Sequence, residues 1–306
     1  MKVTVVGGGN VGASVAQRVV EAGLADVVLV DVVEGMPQGK ALDLAEAAPL
    51  LSHDCSLRGA NDYEATQWSD VVVITAGVAR KPGMSRMDLL KTNADIVRGV
   101  AEQVAQNSPQ AIVVVVSNPL DVMTHLTWRV TGFSPERVVG MAGVLDSARF
   151  RAFIAMELGV SVEDVQAMVL GGHGDSMVPL PRFSTVAGIP ISHFMDQATI
   201  DRLIDRTRNA GAEIVALLKT GSAYYAPGAA VYEMAESVLR DRKRVLPCCA
   251  LCRGQYGLEN VYVGVPVRLG RWGVEQIIEL PLEAEELASL RKSAAEVEQA
   301  VSDLGL

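Results

Sequence analysis

The first half of the chain alternates short apolar runs with segments of helical periodicity. The runs are rich in β-branched residues and apolar at consecutive positions, which is typical of strands buried on both faces of a parallel sheet. They are KVTVVG (2–7), VVLVD (27–31), DVVVIT (70–75), AIVVVVS (111–117) and RVVGMA (137–142). Helical patterns such as residues 11–22 and 87–106 lie between them and would supply the crossovers of βαβ units. The pattern predicts an α/β fold built on a doubly wound parallel sheet.

After Gly143 the pattern changes and predicts a second, α+β domain. The predicted helices are 145–158, 196–219 and 283–303, and the predicted strands are 165–170, 244–251 and 261–267. The last helix has one apolar stripe at helical spacing, formed by Leu287, Leu290, Ala294, Val297 and Val301. Because 306 residues exceed the usual size of one core, we expect two closely packed domains, 1–142 and 143–306.

Composition excludes several classes of protein. A net charge of −9 without a long Lys/Arg cluster argues against nucleic-acid binding. Apolar runs stay below the roughly 18 residues of a membrane span, and a first strand that begins at Lys2 leaves no room for a targeting peptide. Cys249-x-x-Cys252 invites a zinc or redox interpretation, but a second ligand pair is missing and VLPCCALC has the composition of a buried strand. We expect no metal, and free cysteines favour the reducing cytoplasm.

A glycine-rich stretch follows the first predicted strand. VVGGGNVG contains Gly7, Gly9 and Gly12 in the spacing G-x-G-x-x-G, at the point where a strand turns into a helix. Such a turn lets the backbone approach a pyrophosphate, which the helix N-terminus then faces. Asp31, at the end of the second strand, can accept hydrogen bonds from ribose hydroxyls, and its charge disfavours a 2′-phosphate. These residues predict a Rossmann-type NAD site, although Asp31 could instead be a simple turn residue.

Two further stretches carry acid–base residues. LDSARFR places Asp146 and Arg149 three residues apart, on one helical face, and LGGHGDSMVP places His173 in a glycine-rich turn. An aspartate on one ring nitrogen of a histidine fixes its tautomer and raises its basicity. We therefore predict a general acid–base histidine oriented by Asp146, with Arg149 available as a bidentate partner for a carboxylate.

Residues 76–88, AGVARKPGMSRMD, place Arg80 and Arg86 in a Pro-Gly stretch directly after a buried strand. Two fixed positive charges in such a loop favour an anionic ligand, and the alternative is a solvated surface loop.

Over nearly its whole length the sequence resembles the NAD-dependent L-lactate and L-malate dehydrogenases. The motifs that carry the resemblance are GGGNVG, AGVARKPGMSR, VSNPLDV (116–122), LDSARFR, GGHGDSMVPL and GSAYYAP (221–227). The resemblance implies that His173 carries the proton and that Asp146 orients it. It also implies that Arg149 binds the substrate's C1 carboxylate and that Arg86 polarises the reacting carbonyl.

The resemblance implies further contacts on both ligands. Asn118 would contact substrate and nicotinamide, Asn93 would belong to the cofactor site, and Arg80 would bind the distal carboxylate of the substrate. Within the family the chain is similar to the bacterial malate dehydrogenases that are built like lactate dehydrogenase, which implies malate and oxaloacetate as substrates. Lactate-type relatives usually have glutamine at the position of Arg80, an acidic residue at that of Met84 and threonine at that of Ala223.

Two alternatives remain open. One is a lactate dehydrogenase or another 2-hydroxyacid dehydrogenase, and the residue at position 80 discriminates it. The other is a non-catalytic NAD-sensing module, which the intact set of His173, Asp146, Arg149 and Arg86 disfavours. The family also implies a homodimer or homotetramer.

Overall fold

The computed structural model describes residues 1–78 and 85–306, so Arg80 and Met84 lie outside the described residues. The strands are β1 (Lys2–Val6), β2 (Asp26–Val30), β3 (Leu57–Ala60), β4 (Val71–Ile74), β5 (Ile112–Val115), β6 (Val138–Gly140), β7 (Val165–Gln166), β8 (Val169–Leu170), β9 (Val178–Pro179), β10 (Thr185–Val186), β11 (Ile189–Pro190), β12 (Arg244–Arg253), β13 (Glu259–Gly270) and β14 (Gly273–Ile277). The helices are α1 (Asn10–Glu21), α2 (Met36–Leu51), α3 (Arg86–Asn107), α4 (Leu120–Thr131), α5 (Ala142–Leu158), α6 (Gln197–Leu218), α7 (Tyr225–Leu239) and α8 (Ala284–Ser302).

The main sheet has the order β14-β13-β12-β6-β5-β4-β1-β2-β3. The strands from β3 to β6 pair in parallel, and their order 3-2-1-4-5-6 is that of the Rossmann doubly wound fold. The predicted fold class is therefore confirmed. In such sheets the crossovers change direction beside the first strand, and ligands bind outside the carboxyl ends of the strands at that point.

The long strands in the second half of the chain extend this sheet. β12 is antiparallel to β6 through the pair Cys249 and Gly140, and β13 and β14 continue outward from β12. Two smaller sheets, β11-β10-β7 and β8-β9, also form, and the bridge between Gly171 and Gly264 joins the turn after β8 to β13. The residues after β8 are thereby brought close to the helices that follow the parallel strands.

Burial follows the sequence pattern closely. β4 and β5 are buried at every position, as expected of central parallel strands. Leu290, Ala294, Val297 and Val301 of the predicted α8 stripe are buried, and Leu287 is partly buried and packs on the same core. Cys248, Cys249 and Cys252 are buried within β12, as the strand interpretation of VLPCCALC requires. Within residues 1–78 and 85–306, no helix combines the length and apolar character needed to cross a membrane.

Several elements differ from the sequence expectations. The segment 137–142 is not strand throughout, because β6 ends at Gly140 and α5 begins at Ala142. The segment 165–170 is split into two short strands that pair in different sheets. The pattern does not predict α2, since only Pro37 and Ala41 are buried along it and no periodic stripe marks the helix.

Candidate active site

The turn between β1 and α1 is shaped by glycine. Gly7 has φ +106°, and a Cβ at Gly12 would lie 1.9 Å from the Gly7 carbonyl oxygen, so both positions exclude a side chain. α1 begins at Asn10 with Gly9 as its N-cap, and no side chain caps it. A Cβ at Gly9 would meet no heavy atom of the described residues within 4 Å. With no side-chain cap on the first N–H groups of α1 and free space at Gly9, this helix N-terminus suits an anionic phosphate.

Asp31 lies beside this turn, directly after β2. Its Oδ2 accepts a hydrogen bond from the Gly8 N–H at 2.7 Å and its Oδ1 accepts one from the Val33 N–H at 3.0 Å. The Lys40 Nζ donates to the Gly8 carbonyl oxygen at 2.7 Å. A carboxylate has about four lone-pair sites, so Asp31 holds the turn and retains acceptors for ribose hydroxyls. The residues present therefore fit a dinucleotide.

His173 lies in the turn between β8 and β9, where its ring reaches α5. The His173 Nδ1 is 2.8 Å from Asp146 Oδ2, and the side chains are 15% and 2% exposed. Burial acts to lower the pKa of His173, but the charge and hydrogen bond of Asp146 outweigh it, and the pKa is raised. Asp121 adds to this increase, whereas Arg149 opposes it. With Nδ1–H bonded to Asp146, Nε2 is the ring atom left to exchange a proton.

Arg149 lies one helical turn after Asp146 on α5, as the spacing of three predicts. Its Nη1 donates to Asp146 Oδ1 at 3.3 Å, and its side chain is 14% exposed. Its Nε is buried and has no hydrogen-bond partner within the part of the chain that the structure describes. A buried N–H without a partner is costly, so the guanidinium has donor capacity available for a bound carboxylate.

Asn118 lies just beyond the carboxyl end of β5, and Asn93 lies on α3 and is 2% exposed. Its Oδ1 accepts from the Val78 N–H at 2.8 Å, and its Nδ2 donates to the carbonyl oxygens of Val78 at 3.2 Å and Asn118 at 2.8 Å. These contacts use the side-chain amide of Asn93, which thereby links the segments that follow β4 and β5. Asn118 has an exposed side chain that is available to a ligand.

The side chains of the two loop arginines, Arg80 and Arg86, lie outside the described part of the structure. Arg80 falls within residues 79–84, outside the described residues, and only the backbone of Arg86 is described, as the first residue of α3. α3 is capped by Ser85, whose side chain accepts from the Asp88 N–H in a capping box.

Asp121 and Ser293 are residues of the site that the sequence analysis does not identify. Asp121 Oδ2 accepts from the His173 N–H at 2.8 Å, and Ser293 Oγ accepts from the Gly172 N–H at 2.7 Å. Asp121 carries a usable signal, because it is a charged residue within the otherwise apolar segment that begins α4, and buried charges need partners. Ser293 carries none, since serine is common on helices.

The fold and the site agree with comparisons to known proteins. Residues 1–140 match the family model of the lactate/malate dehydrogenase NAD binding domain, and residues 143–304 match that of the lactate/malate dehydrogenase alpha/beta C-terminal domain. A malate dehydrogenase of Chloroherpeton thalassium is 59% identical over 300 residues, which is 98% of this chain and 97% of the relative.

Solved structures of lactate and malate dehydrogenases are also similar to this chain. The malate dehydrogenase of Salinibacter ruber has a TM-score of 0.96 and 54% identity, covering 100% of this chain and 98% of that one. A lactate dehydrogenase of Cryptosporidium parvum, solved with lactic acid and nicotinamide adenine dinucleotide, has a TM-score of 0.96 and 45% identity, covering 99% and 98%. The chain therefore belongs to the lactate/malate dehydrogenase family. It is an NAD-binding oxidoreductase, as the sequence predicts.

Proposed function

We propose that this chain is an NAD-dependent L-malate dehydrogenase that interconverts malate and oxaloacetate. The sequence-based prediction of this activity is confirmed by full-length relatives, 55–59% identical, that are named malate dehydrogenase. The observation that carries the proposal is the cluster of His173, Asp146 and Arg149, which combines a proton carrier, a buried carboxylate and an available guanidinium.

His173 is proposed to move the proton. The glycine turn and Asp31 would hold NAD, which when bound would supply the hydride acceptor for malate oxidation and, as NADH, the hydride donor for oxaloacetate reduction. During reduction the His173 imidazolium donates the Nε2 proton to the carbonyl oxygen, and during oxidation the neutral ring accepts the hydroxyl proton. Asp146 stabilises the imidazolium and raises the pKa of His173, which favours the form that donates the proton.

Arg149 is proposed to bind the substrate's C1 carboxylate in a bidentate pair, because its Nε lacks a protein partner among the described residues. Asn118 is proposed to contact substrate and nicotinamide from the end of β5, and Gly7, Gly9, Gly12 and Asp31 to bind the cofactor. The amide of Asn93 is proposed to act on the cofactor site indirectly, by fixing the Asn118 carbonyl. The proposed roles of Arg80 and Arg86 rest on the sequence.

A steady-state assay tests the function directly. NADH absorbance is followed with oxaloacetate, with pyruvate, and with NADPH replacing NADH. We expect rapid oxidation of NADH by oxaloacetate, weak use of pyruvate and weak use of NADPH. A flat trace with oxaloacetate despite NADH binding would favour the sensor module, and a preference for pyruvate would favour the lactate alternative.

Substrate choice is proposed to depend on Arg80. Removing one partner of a desolvated ion pair costs about 3–5 kcal/mol, so Arg80→Gln is expected to lower kcat/KM for oxaloacetate by about 10²–10³-fold. The same variant should use pyruvate better, since the methyl group no longer faces an unpaired charge. A ratio of the two kcat/KM values that moves by less than about tenfold would assign Arg80 to the solvated surface.

We also propose that the chain forms a homodimer or homotetramer and that it lies in the cytoplasm. The boundary between its two domains is proposed to fall between residues 142 and 143. The support for assembly is apolar exposure on two helices, with Leu42 and Leu50 on α2 at 62% and 86% and Leu217 on α6 at 75%. Protein interfaces are often built from exposed apolar side chains that form contiguous patches, so these leucines are the residues we propose to lie in the interface. Sedimentation analysis of the parent and of Leu50→Lys distinguishes the states, and a parent that sediments as a monomer would contradict the proposal. The four free cysteines support the cytoplasm.

A further inference from the structure

The segment between β2 and α2 begins with Asp31 and contributes little to the core. Val32 and Val33 are 94% and 55% exposed, and Glu34 and Gly35 are exposed as well. Side chains that stay in water contribute little burial free energy. The position of this segment, and with it that of Asp31, therefore depends mainly on hydrogen bonds.

Asn61, the first residue after β3, supplies two of these hydrogen bonds. Its Nδ2 donates to the carbonyl oxygens of Asp31 at 2.7 Å and of Val33 at 3.0 Å. Its Oδ1 accepts from Gln38 Nε2, in the first turn of α2, at 2.6 Å. Only a donor can join two carbonyl oxygens, so the amide nitrogen is the atom that faces them. One exposed side chain thus links β3, the segment after β2 and α2.

The contacts of Asn61 also fix the carboxylate of Asp31. The Asp31 N–H donates to the Ala60 carbonyl oxygen at 3.2 Å, and the Asp31 carbonyl accepts from Asn61, so the end of β3 holds this backbone on both sides. Asp31 Oδ1 accepts from the Val33 N–H, and Asn61 holds the carbonyl of that same residue. The direction of the remaining lone pairs of Asp31 therefore depends on the amide of Asn61.

We propose that Asn61 is a positioning residue for the cofactor, which fixes the direction in which Asp31 presents its carboxylate to the ribose hydroxyls. The inference rests on the proposed cofactor site at the glycine turn and Asp31. Hydrogen bonds to a carboxylate depend on direction as well as on distance. A carboxylate that moves away would lose its ribose contact and would also repel a 2′-phosphate less. Asn61 thereby strengthens the preference for NAD over NADP, through attraction and repulsion together.

Two substitutions at this position test the inference. Asn61→Ala removes the amide, and Asn61→Leu replaces it with an apolar side chain of similar size. Asn209→Ala is the matched control, because Asn209 is also exposed but donates to the Asp205 carbonyl oxygen of its own helix, α6, at 2.9 Å. The measurements are the dissociation constants of NADH and NADPH by fluorescence titration, Tm, and kcat for oxaloacetate at saturating NADH.

Both Asn61 variants should bind NADH about 3–10-fold more weakly, which corresponds to the loss of about one net hydrogen bond. NADPH affinity should change less, so the ratio of the two dissociation constants should narrow by about threefold or more. The kcat at saturating NADH should stay at the parent value, because the His173 turn is unchanged. Asn209→Ala should leave the ratio as in the parent. A purely structural role would lower Tm and leave the ratio of dissociation constants unmoved.

An unchanged ratio in a folded Asn61 variant, or equal weakening of both cofactors, would overturn the proposal. Should neither Asn61 variant fold, Gln38→Leu removes one partner of the amide and should narrow the ratio to a smaller extent, and an unchanged ratio there would overturn it as well. Asp31→Ser separates the two levels of inference. If Asp31→Ser narrows the ratio and the Asn61 variants do not, only the positioning role fails. If Asp31→Ser leaves both dissociation constants unchanged, the proposed cofactor site fails and the positioning role fails with it.

Discussion

The turn after β1 and the turn that carries His173 both depend on glycine, but different parts of the chain hold them. Around the first turn, the Gly8 N–H donates to Asp31, 23 residues away, and the Gly8 carbonyl accepts from Lys40, 32 residues away. Around the second, the His173 N–H donates to Asp121, 52 residues away, and the Gly172 N–H donates to Ser293, 121 residues away. The Gly7 carbonyl also accepts from the Thr75 hydroxyl, 68 residues away. The turn after β1 is therefore held by elements of the parallel sheet in the first half of the chain, whereas the His173 turn is held by elements from both halves.

This difference has a physical consequence for the two sites. A phosphate is bound by backbone N–H groups at a helix N-terminus, which one βαβ unit supplies on its own. Proton transfer needs one ring nitrogen held within hydrogen-bond distance of the substrate, and contacts from several directions restrict it more than local ones. We therefore expect substitutions near His173 to reduce catalysis at constant NADH affinity, and substitutions near Gly12 to reduce NADH affinity.

The largest expected effect is at His173 itself. His173→Asn should lower kcat for oxaloacetate about 10²–10⁴-fold because the proton carrier is lost, while NADH, which we propose binds at the glycine turn, should bind as in the parent. His193→Asn, at an exposed histidine on the surface, is the control and should behave as the parent. Stopped-flow turnover together with NADH fluorescence titration gives both quantities. Loss of NADH binding in His173→Asn would contradict the expectation that catalysis and NADH binding depend on different turns.

Asp146→Asn tests the His173 turn through the pH dependence of oxaloacetate reduction. The pKa of His173 is raised because Asp146 outweighs burial, so without this charge burial and Arg149 should lower it. Oxaloacetate reduction needs imidazolium and is lost as pH rises through that pKa, so the decline should move to lower pH in the variant. At pH 7 the loss in kcat/KM should be roughly 10²-fold. If the inflection in the pH profile of kcat/KM lies at the same pH in variant and parent, Asp146 does not control the pKa of His173.

The cofactor turn is tested by a pair of glycine substitutions. Gly12→Ala places a Cβ 1.9 Å from the Gly7 carbonyl oxygen, so backbone must move, and we expect a loss of about 3 kcal/mol or more in unfolding free energy. Among the described residues, a Cβ at Gly9 meets no heavy atom within 4 Å, so Gly9→Ala should fold normally. It should bind NADH more weakly, because the methyl group occupies the cofactor's approach. Denaturant unfolding and NADH titration measure the two effects. Parent-like NADH affinity in Gly9→Ala would place the pyrophosphate elsewhere.

The smallest expected effect is a loss of folding stability at acid pH, caused by a buried histidine on α4. His125, 9% exposed on this helix, has its pKa lowered to about 4 by burial and by Arg129. The unfolded chain binds the proton near pH 6.5, so the native state should lose about 2 kcal/mol as pH falls from 6.5 to 4. His125→Gln should flatten this loss, and His193→Gln should not. Hydrogen exchange should show the acid effect in α4 amides before α1 amides, and equal effects would contradict the comparison.

The sequence by itself determined the elements whose signals are local. Consecutive β-branched residues specify β4 and β5, the spacing of Gly7, Gly9 and Gly12 specifies a strand-to-helix turn, and an apolar stripe specifies α8. The spacing of Asp146 and Arg149 likewise fixed their shared helical face, since helix geometry alone decides it. These features need only neighbours within a few residues, and the structure reproduces them.

Only the tertiary structure decided which distant residues meet His173. The main donors to Asp121 and Ser293 are backbone N–H groups, which every residue except proline possesses and which leave no mark in a sequence. The addition of β12 to β6 was equally hidden, because a buried strand has the same composition whichever edge it joins. Long-range pairing depends on the packing of the complete chain, so the second carboxyl group at His173 emerges only when α4 and the turn after β8 are brought together.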